Sequence, residues 1–438
     1  MKPLNISLLS AATLLLCACA ELQPLSTPGT QLSKSSVQPA AFNTVETAQQ
    51  FLEARVERDP EDFIALNKLS GEYLQRLRET GDASYLNLAA RTASASLASL
   101  PAEQNKGGVI ALIQVEHASH NFASARDHAK KLITLEPNKG YLYQFLGDAL
   151  LELGQYAEAE AAFRQMQALG GLHTLTKVAI EQRLARLALL YGDMQSAKQH
   201  FSEALKLIPA GPAQRELRAW TQWQLGDTAF AIGDYATAEQ NYHDALATFP
   251  GYFHAQASLG RIRFARGDLP GAIALFEQVA QRLPDPAIVA TLGDLYQLAG
   301  RIEDAAAQHT LVEQIGQLNG AHHNRQLALF YADHGLKPEA AYLEATKEYM
   351  TRRDIYGADA VAWTALKAGR INAAQSAIKE ALKLGTKDAK LFYHAGMIAH
   401  AAGDSVEAQR WLKAALTLNP EFDPLQAEYA RKALRALQ

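Results

Sequence analysis

The stretch that decides the fold runs from Trp220 to Pro284, as WTQWQLGDTAFAIGDYATAEQNYHDALATFP (220–250) followed by GYFHAQASLGRIRFARGDLPGAIALFEQVAQRLP (251–284). In the first segment stand Leu225-Gly226, Gly233-Asp234-Tyr235, Ala238, Tyr242 and Ala245-Leu246 before Pro250. The second answers with Leu259-Gly260, Gly267-Asp268-Leu269, Ala272, Phe276 and Val279-Ala280 before Pro284, so Gly233 and Gly267 lie 34 positions apart. Each Gly-Asp pair reads as a tight turn between two helices: the glycine takes the left-handed conformation that ends the first, and the aspartate caps the first N–H groups of the second. Gly81-Asp82, Gly192-Asp193 and Gly403-Asp404 repeat the pair. Small residues at Ala238, Ala272 and Ala408 permit close helix approach, and Tyr242, Phe276 and Leu412 are expected to fill the space between neighbouring units.

The period extends in both directions from this stretch. Downstream the turn position recurs at Gly300, Gly335, Gly369 and Gly403, in steps of 33, 35, 34 and 34. Upstream, Gly154 lies 34 positions after His120, which takes the usual glycine place. Two longer steps, 38 from Gly154 to Gly192 and 41 from Gly192 to Gly233, point to insertions at Gly170-Gly171 and Pro209-Ala210-Gly211-Pro212, expected to project as loops between helices. About ten units fill residues 61–422. A leading helix is expected over 44–60, and Asp423-Pro424 starts a capping helix over 423–438.

The 34-residue period, with small residues, aromatics and proline at fixed offsets, resembles the tetratricopeptide repeat. The resemblance implies an all-α fold, a helix-turn-helix solenoid wound as a right-handed superhelix. The chain of 438 residues then forms one array, since repeats contact only their neighbours and need no division into globular domains. The last quarter, with Arg352-Arg353-Asp354-Ile355-Tyr356-Gly357, Trp363, Leu384-Gly385-Thr386 and Tyr393-His394-Ala395-Gly396-Met397, is similar to bacterial repeat proteins without an assigned activity. Arg352 and Arg353 themselves read as a solvated pair at a helix end.

Met1-Lys2, the apolar run Ile6 to Leu16 and the small residues after it read as an export signal, too short for a permanent membrane helix. Leu16-Cys17-Ala18-Cys19 resembles a bacterial lipobox. That implies a lipoprotein signal peptide over 1–18, lipidation at Cys19 and, with Ala20 next, an outer-membrane lipoprotein facing the periplasm. Cleavage after Ala18-Cys19-Ala20 would instead release a soluble periplasmic or secreted protein. The Pro-, Ser-, Thr- and Gln-rich residues 19–43 suit a flexible tether. Both cysteines lie in this leader, so the array has no disulfide and no thiolate metal site, and it must be held by packing.

Charge is nearly balanced, with 42 basic and 46 acidic side chains, and no basic run tracks a phosphate backbone, so nucleic acid is not an expected partner. No P-loop, HExxH helix or GxSxG elbow is present, which argues against an enzyme. His322-His323 with His334, and His394 with His400, lack the i, i+4 spacing that sets two ligands on one helical face. No metal and no cofactor are expected. By the repeat family's groove offsets the partner-binding residues are Trp220, Trp223, Asp227 and Phe230, then His254, Arg261 and Phe264. Near the C-terminus they are Tyr356, Asp359 and Trp363, then Tyr393 and Met397. The paired Lys and Asn of a carboxylate clamp are missing, so the resemblance implies a groove for a peptide or partner helix. The expected function is a non-enzymatic protein–protein interaction scaffold of the bacterial cell envelope. The alternative is a ligand- or glycan-binding carrier or sensor subunit of an export or assembly system.

Overall fold

In a computed structural model that describes residues 45–171, 173–318 and 325–437, the chain is a solenoid of paired antiparallel helices. The leader, with Cys19 and the tether, lies outside the described residues, as do His322 and His323. A first helix, α1 (Val45–Arg58), precedes ten helix pairs. The first five are α2 (Phe63–Thr80) with α3 (Ser84–Ser99), α4 (Lys106–Ala118) with α5 (Phe122–Leu135), α6 (Leu142–Glu152) with α7 (Tyr156–Leu169), α8 (Thr174–Leu190) with α9 (Met194–Leu207), and α10 (Arg215–Ala231) with α11 (Tyr235–Thr248). The second five are α12 (Phe253–Ala265) with α13 (Leu269–Arg282), α14 (Pro286–Leu298) with α15 (Ile302–Leu318), α16 (Arg325–Asp333) with α17 (Pro338–Thr351), α18 (Ile355–Lys367) with α19 (Ile371–Ala381), and α20 (Ala389–Ala401) with α21 (Ser405–Leu418). The last helix, α22 (Gln426–Ala436), closes the array; Asp423 accepts the Leu425 and Gln426 N–H groups at 3.0 and 2.9 Å ahead of it. It buries Ala427 and Ala430 and leaves Lys432 and Arg435 exposed, the polar outer face an array end needs. Among the described residues no helix is long and apolar enough to cross a membrane.

The turn chemistry is local and works as its residues dictate. Asp193, Asp234, Asp268 and Asp404 each accept the N–H three residues on, at 2.9–3.1 Å. Asp82 accepts instead from Ser84 N, because α3 starts a residue later and has Ala83 at its cap. His120, in the glycine place of the second unit, holds the left-handed conformation at φ 59°, its ring stacked 5.4 Å from that of Phe122. The two long steps are not absorbed by loops alone. The first helices α8 and α10 grow to 17 residues where α12, α14, α18 and α20 have 13, and a short 3-10 turn, Pro212–Gln214, leads into α10.

Within four of the units, one aromatic or aliphatic side chain of the second helix packs on a glycine of the first. A Cβ at Gly147, Gly226, Gly260 or Gly396 would meet Phe163, Tyr242, Phe276 or Leu412 at 2.2–2.7 Å. These side chains therefore lock the pair inside a unit, where the sequence suggested a role between units. Ala238, Ala272 and Ala408 are fully buried at the same contacts. First helices of successive units also touch one another directly, as α2 does α4, α10 does α12 and α18 does α20, which puts them on the inside of the curve.

The solenoid also closes on itself. The turn inside one unit meets the loop that follows the unit five places later. A Cβ at Gly81 would strike Leu283 at 2.5 Å; one at Gly154 would strike the Arg353 carbonyl at 2.2 Å, and one at Gly192 the Gly385 carbonyl at 2.3 Å. The Tyr235 hydroxyl donates to Asn419 Oδ1 at 2.5 Å, and Asn419 Nδ2 donates to the Phe230 carbonyl at 2.8 Å. Gly154 and Gly192 thus have two reasons to lack a side chain: φ values of 73° and 72°, and a second strand of the superhelix pressed against them.

Candidate functional site

The inner helices carry the residues that the groove offsets select, and packing between neighbouring units decides which of them solvent can reach. Trp220, Trp223 and Phe230 on α10, Asp359 and Trp363 on α18 and Tyr393 on α20 are buried. The central first helices are buried on nearly every side: α18 buries all residues from Gly357 to Ala365 along with Ile355. A helix packed all round is core, so these six side chains are not open anchors. Asp227, His254, Arg261, Phe264 and Met397 are half-buried, and Tyr356 is 41% exposed.

The central part of the lining is one connected network across α10, α11 and α12. Trp223 donates its indole N–H to Ser258 Oγ at 3.0 Å and stacks on His254, with centroids 4.6 Å apart. Asp227 accepts from the Tyr242 hydroxyl and from Arg261, both at 2.6 Å. The Arg261 guanidinium also lies 4.6 Å from the centre of the Phe230 ring, a cation–π distance, and donates to Ser258 Oγ at 2.7 Å. Burial, helped by the Arg261 charge, pushes the His254 pKa down to about 3, so this imidazole is neutral. Burial would lower the Arg261 pKa too, but Asp227 outweighs it and the cation is held. Tyr242 is pushed well above the usual phenol range, first by burial and then by Asp227.

A second network joins units eight to ten with α22. His394, fully buried, stacks on Trp363 at 4.2 Å and 13°, with Nδ1 at 2.9 and 3.0 Å from the Asp359 carboxylate oxygens. Asp333 accepts from Trp363 Nε1 at 2.7 Å, Lys390 Nζ at 3.0 Å and Gln426 Nε2 at 2.6 Å. Lys390 reaches Asp423 as well, and the two carboxylates, against the effect of burial, raise its pKa. The offsets did not select Ser258 or His394. The signal was present: Ser258 stands 35 positions after Trp223 and His394 35 after Asp359, one repeat on.

Arg352 departs furthest from its sequence reading. Instead of a solvated helix-end group, it donates Nε to the Glu152 carbonyl at 3.1 Å, pairs with the Glu152 carboxylate and stands 4.8 Å from the centre of the Phe122 ring. Arg353 is exposed. A cleft of about 600 Å³ follows the seam between Gly192 and the loop ahead of α20, bordered by Tyr191, Asp193, Lys198, Asn241 and Lys387. The space beside this seam, like the half-covered lining, offers polar and aromatic contacts with no convergent acid, base and nucleophile.

Residues 111–171, 223–287 and 361–421 match the sequence model of the tetratricopeptide repeat. A curated relative, tetratricopeptide repeat protein 16 of Mus musculus, is 34% identical over 110 residues, a match covering 24% of this chain and 14% of that protein. The chain thus spans about a seventh of that relative's length. Among solved structures, PilW, described as a widely conserved type IV pilus biogenesis factor, is 17% identical, covering 46% of this chain and 90% of its own, with a TM-score of 0.38. The structure of the APC/C hetero-tetramer Cut9-Hcn1 is 13% identical over 90% of this chain and 93% of that one, with a TM-score of 0.34.

Proposed function

Because the chain is built of tetratricopeptide repeats and belongs to that family, we propose that it is a non-enzymatic protein–protein interaction scaffold of the bacterial cell envelope. The ligand in this reading is a peptide or helix of an envelope protein, bound along the part of the inner lining that solvent reaches. The observation that carries it is Arg261, whose side chain is 36% exposed yet fixed by Asp227, Ser258 and the Phe230 ring. A cation held rigidly among aromatics loses little entropy when a partner docks, which is what a recognition surface requires. His254, Phe264, Met397 and Tyr356 are other groove residues that keep some exposure to solvent.

The experiment is recovery of crosslinked partners from membranes, with their identity read by mass spectrometry. Tyr356→Ala removes an exposed ring and Phe264→Ala one half-buried against the Phe276 core; in variants whose circular dichroism is unchanged, the same specific protein should be lost. Full capture by both variants would overturn this surface. The envelope location rests on the first twenty residues: with Cys19 as the lipid site, Cys19→Ala should abolish palmitate labelling and move the protein to the soluble fraction. Unchanged fractionation would overturn the outer-membrane reading.

A further inference from the structure

The structure assigns a divalent transition-metal site to Asp294, His309 and His334, which α14, α15 and the turn after α16 bring together although their sequence spacings do not show it. Asp294 Oδ1 lies 2.7 Å from His334 Nε2 and 3.7 Å from His309 Nε2, and the three donor atoms all fall within 4.8 Å of one another. The His334 side chain is 9% exposed.

The hydrogen bonds decide what these atoms can be. His334 Nδ1 lies 2.8 Å from the Phe330 carbonyl, which only accepts, so Nδ1 carries the hydrogen. In the neutral ring Nε2 then presents a lone pair toward the carboxylate. His309 Nε2 is buried without a hydrogen-bond partner. A proton on His334 would settle one of these contacts and leave His309 Nε2 unpaired; a metal ion takes all three donors at once. The carbonyl on Nδ1 is the outer contact that metal-bound histidines ordinarily have.

The repeat itself aims His309 at this point. A Cβ at Gly293 would meet the His309 ring at 2.7 Å, just as Gly226 would meet Tyr242 and Gly260 would meet Phe276. His309 therefore occupies the packing position of the second helix, and Asp294 stands after Gly293 as Asp227 does after Gly226. In the fifth unit Tyr242 fills that contact with a hydroxyl. In the seventh an imidazole stands there, and the next unit adds a second one.

Two imidazoles and one carboxylate, without thiolate, suit Zn²⁺ and its neighbours, with metal–ligand distances of about 2.0–2.2 Å and a remaining position for water. Binding would tie α16 to the seventh unit.

The test uses the tag-free full chain, stripped with a chelator and titrated calorimetrically with ZnCl₂. It is set against His309→Phe, which copies Phe163 and Phe276 and so should fold. Any zinc bound by the N-terminal leader is the same in both chains, so only the difference reports the site. Wild type should show a zinc-dependent rise in Tm and one site whose affinity falls at least about tenfold in the variant. Asp294→Asn should weaken it too. Equal zinc binding by wild type and His309→Phe, or none by wild type, would overturn the assignment and leave His334–Asp294 as a proton-linked pair.

Discussion

The Tyr156 hydroxyl accepts the backbone N–H of Ile355 at 2.8 Å, across 199 positions of sequence. Arg352 grips the carbonyl and carboxylate of Glu152 beside it. A repeat array stabilised only between neighbours would have no such contact. Here the first, third, fourth and fifth units each also meet the loop after the unit five places on, so the array should melt more cooperatively than a sum of neighbour contacts.

Arg352→Ala should therefore destabilise the whole chain by about 3 kcal/mol, since it leaves the buried Glu152 charge short of a partner. The exposed pair Arg164–Glu160 is the control, and Arg164→Ala should cost less than about 1 kcal/mol. Urea melts followed by circular dichroism give both values; equal effects would mean that closure contributes nothing to stability.

The sequence and the structure agree where the physics is local. Gly-Asp turns, Ala238 and the packing of Tyr242 on Gly226 depend on residues of one unit, and the 34-residue period exposes them. Closure depends on pairs such as Gly154 with Arg353 and Gly192 with Gly385, which no period links, because it follows from small rotations summed over five units. The groove offsets placed Trp223 and Trp363 on the inner face of the curve. They carried no information on how closely neighbouring units pack there: Ser258 and His254 cover Trp223, Asp333 and His394 cover Trp363, and both side chains are buried. Arg352 was missed because its partner, Glu152, lies 200 positions away.

Ala238→Trp tests the local half of that account. Ala238 is fully buried where α10 and α11 meet, so an indole must displace packed neighbours at a cost of about 1–3 kcal/mol. A urea midpoint equal to wild type would show that the pair does not need a small residue there.

Acid should act in opposite senses on two long-range ion pairs, Glu152 with Arg352 and, across 138 positions, Glu216 with Arg78 at 3.4 Å. Burial pushes the Glu152 carboxyl up, but Arg352 and Arg186 outweigh it and hold the group well below its usual 4.5. The unfolded chain binds this proton more readily, so the stabilisation is fully present above the unfolded value and is lost as pH falls toward the folded one. At Glu216 burial wins over Arg78 and the pKa is raised, so that contribution is present at low pH and is lost as pH rises through the folded value. Thermal melts from about pH 6 to 3 should therefore show Glu152→Gln flattening the acid loss of stability and Glu216→Gln steepening it. Parallel profiles for the two variants would contradict both assignments.

Asn419 joins the end of the array to its middle. Its side chain accepts from Tyr235, donates to the Phe230 carbonyl and accepts from Glu421 N, while the Tyr235 hydroxyl also accepts from Glu421 N. Asn419→Ala leaves the buried Phe230 carbonyl without this donor, which should cost about 1–3 kcal/mol. Tyr235→Phe removes only the hydroxyl. Because the two share one bond, their effects should not add, and a double-mutant cycle should return a coupling of about 0.5–3 kcal/mol. Native-state hydrogen exchange supplies the second readout. If Asn419 pins the loop ahead of α22, protection should fall in 426–436 in either variant, and additive energies with unchanged exchange would show that the capping helix is held by its own packing alone.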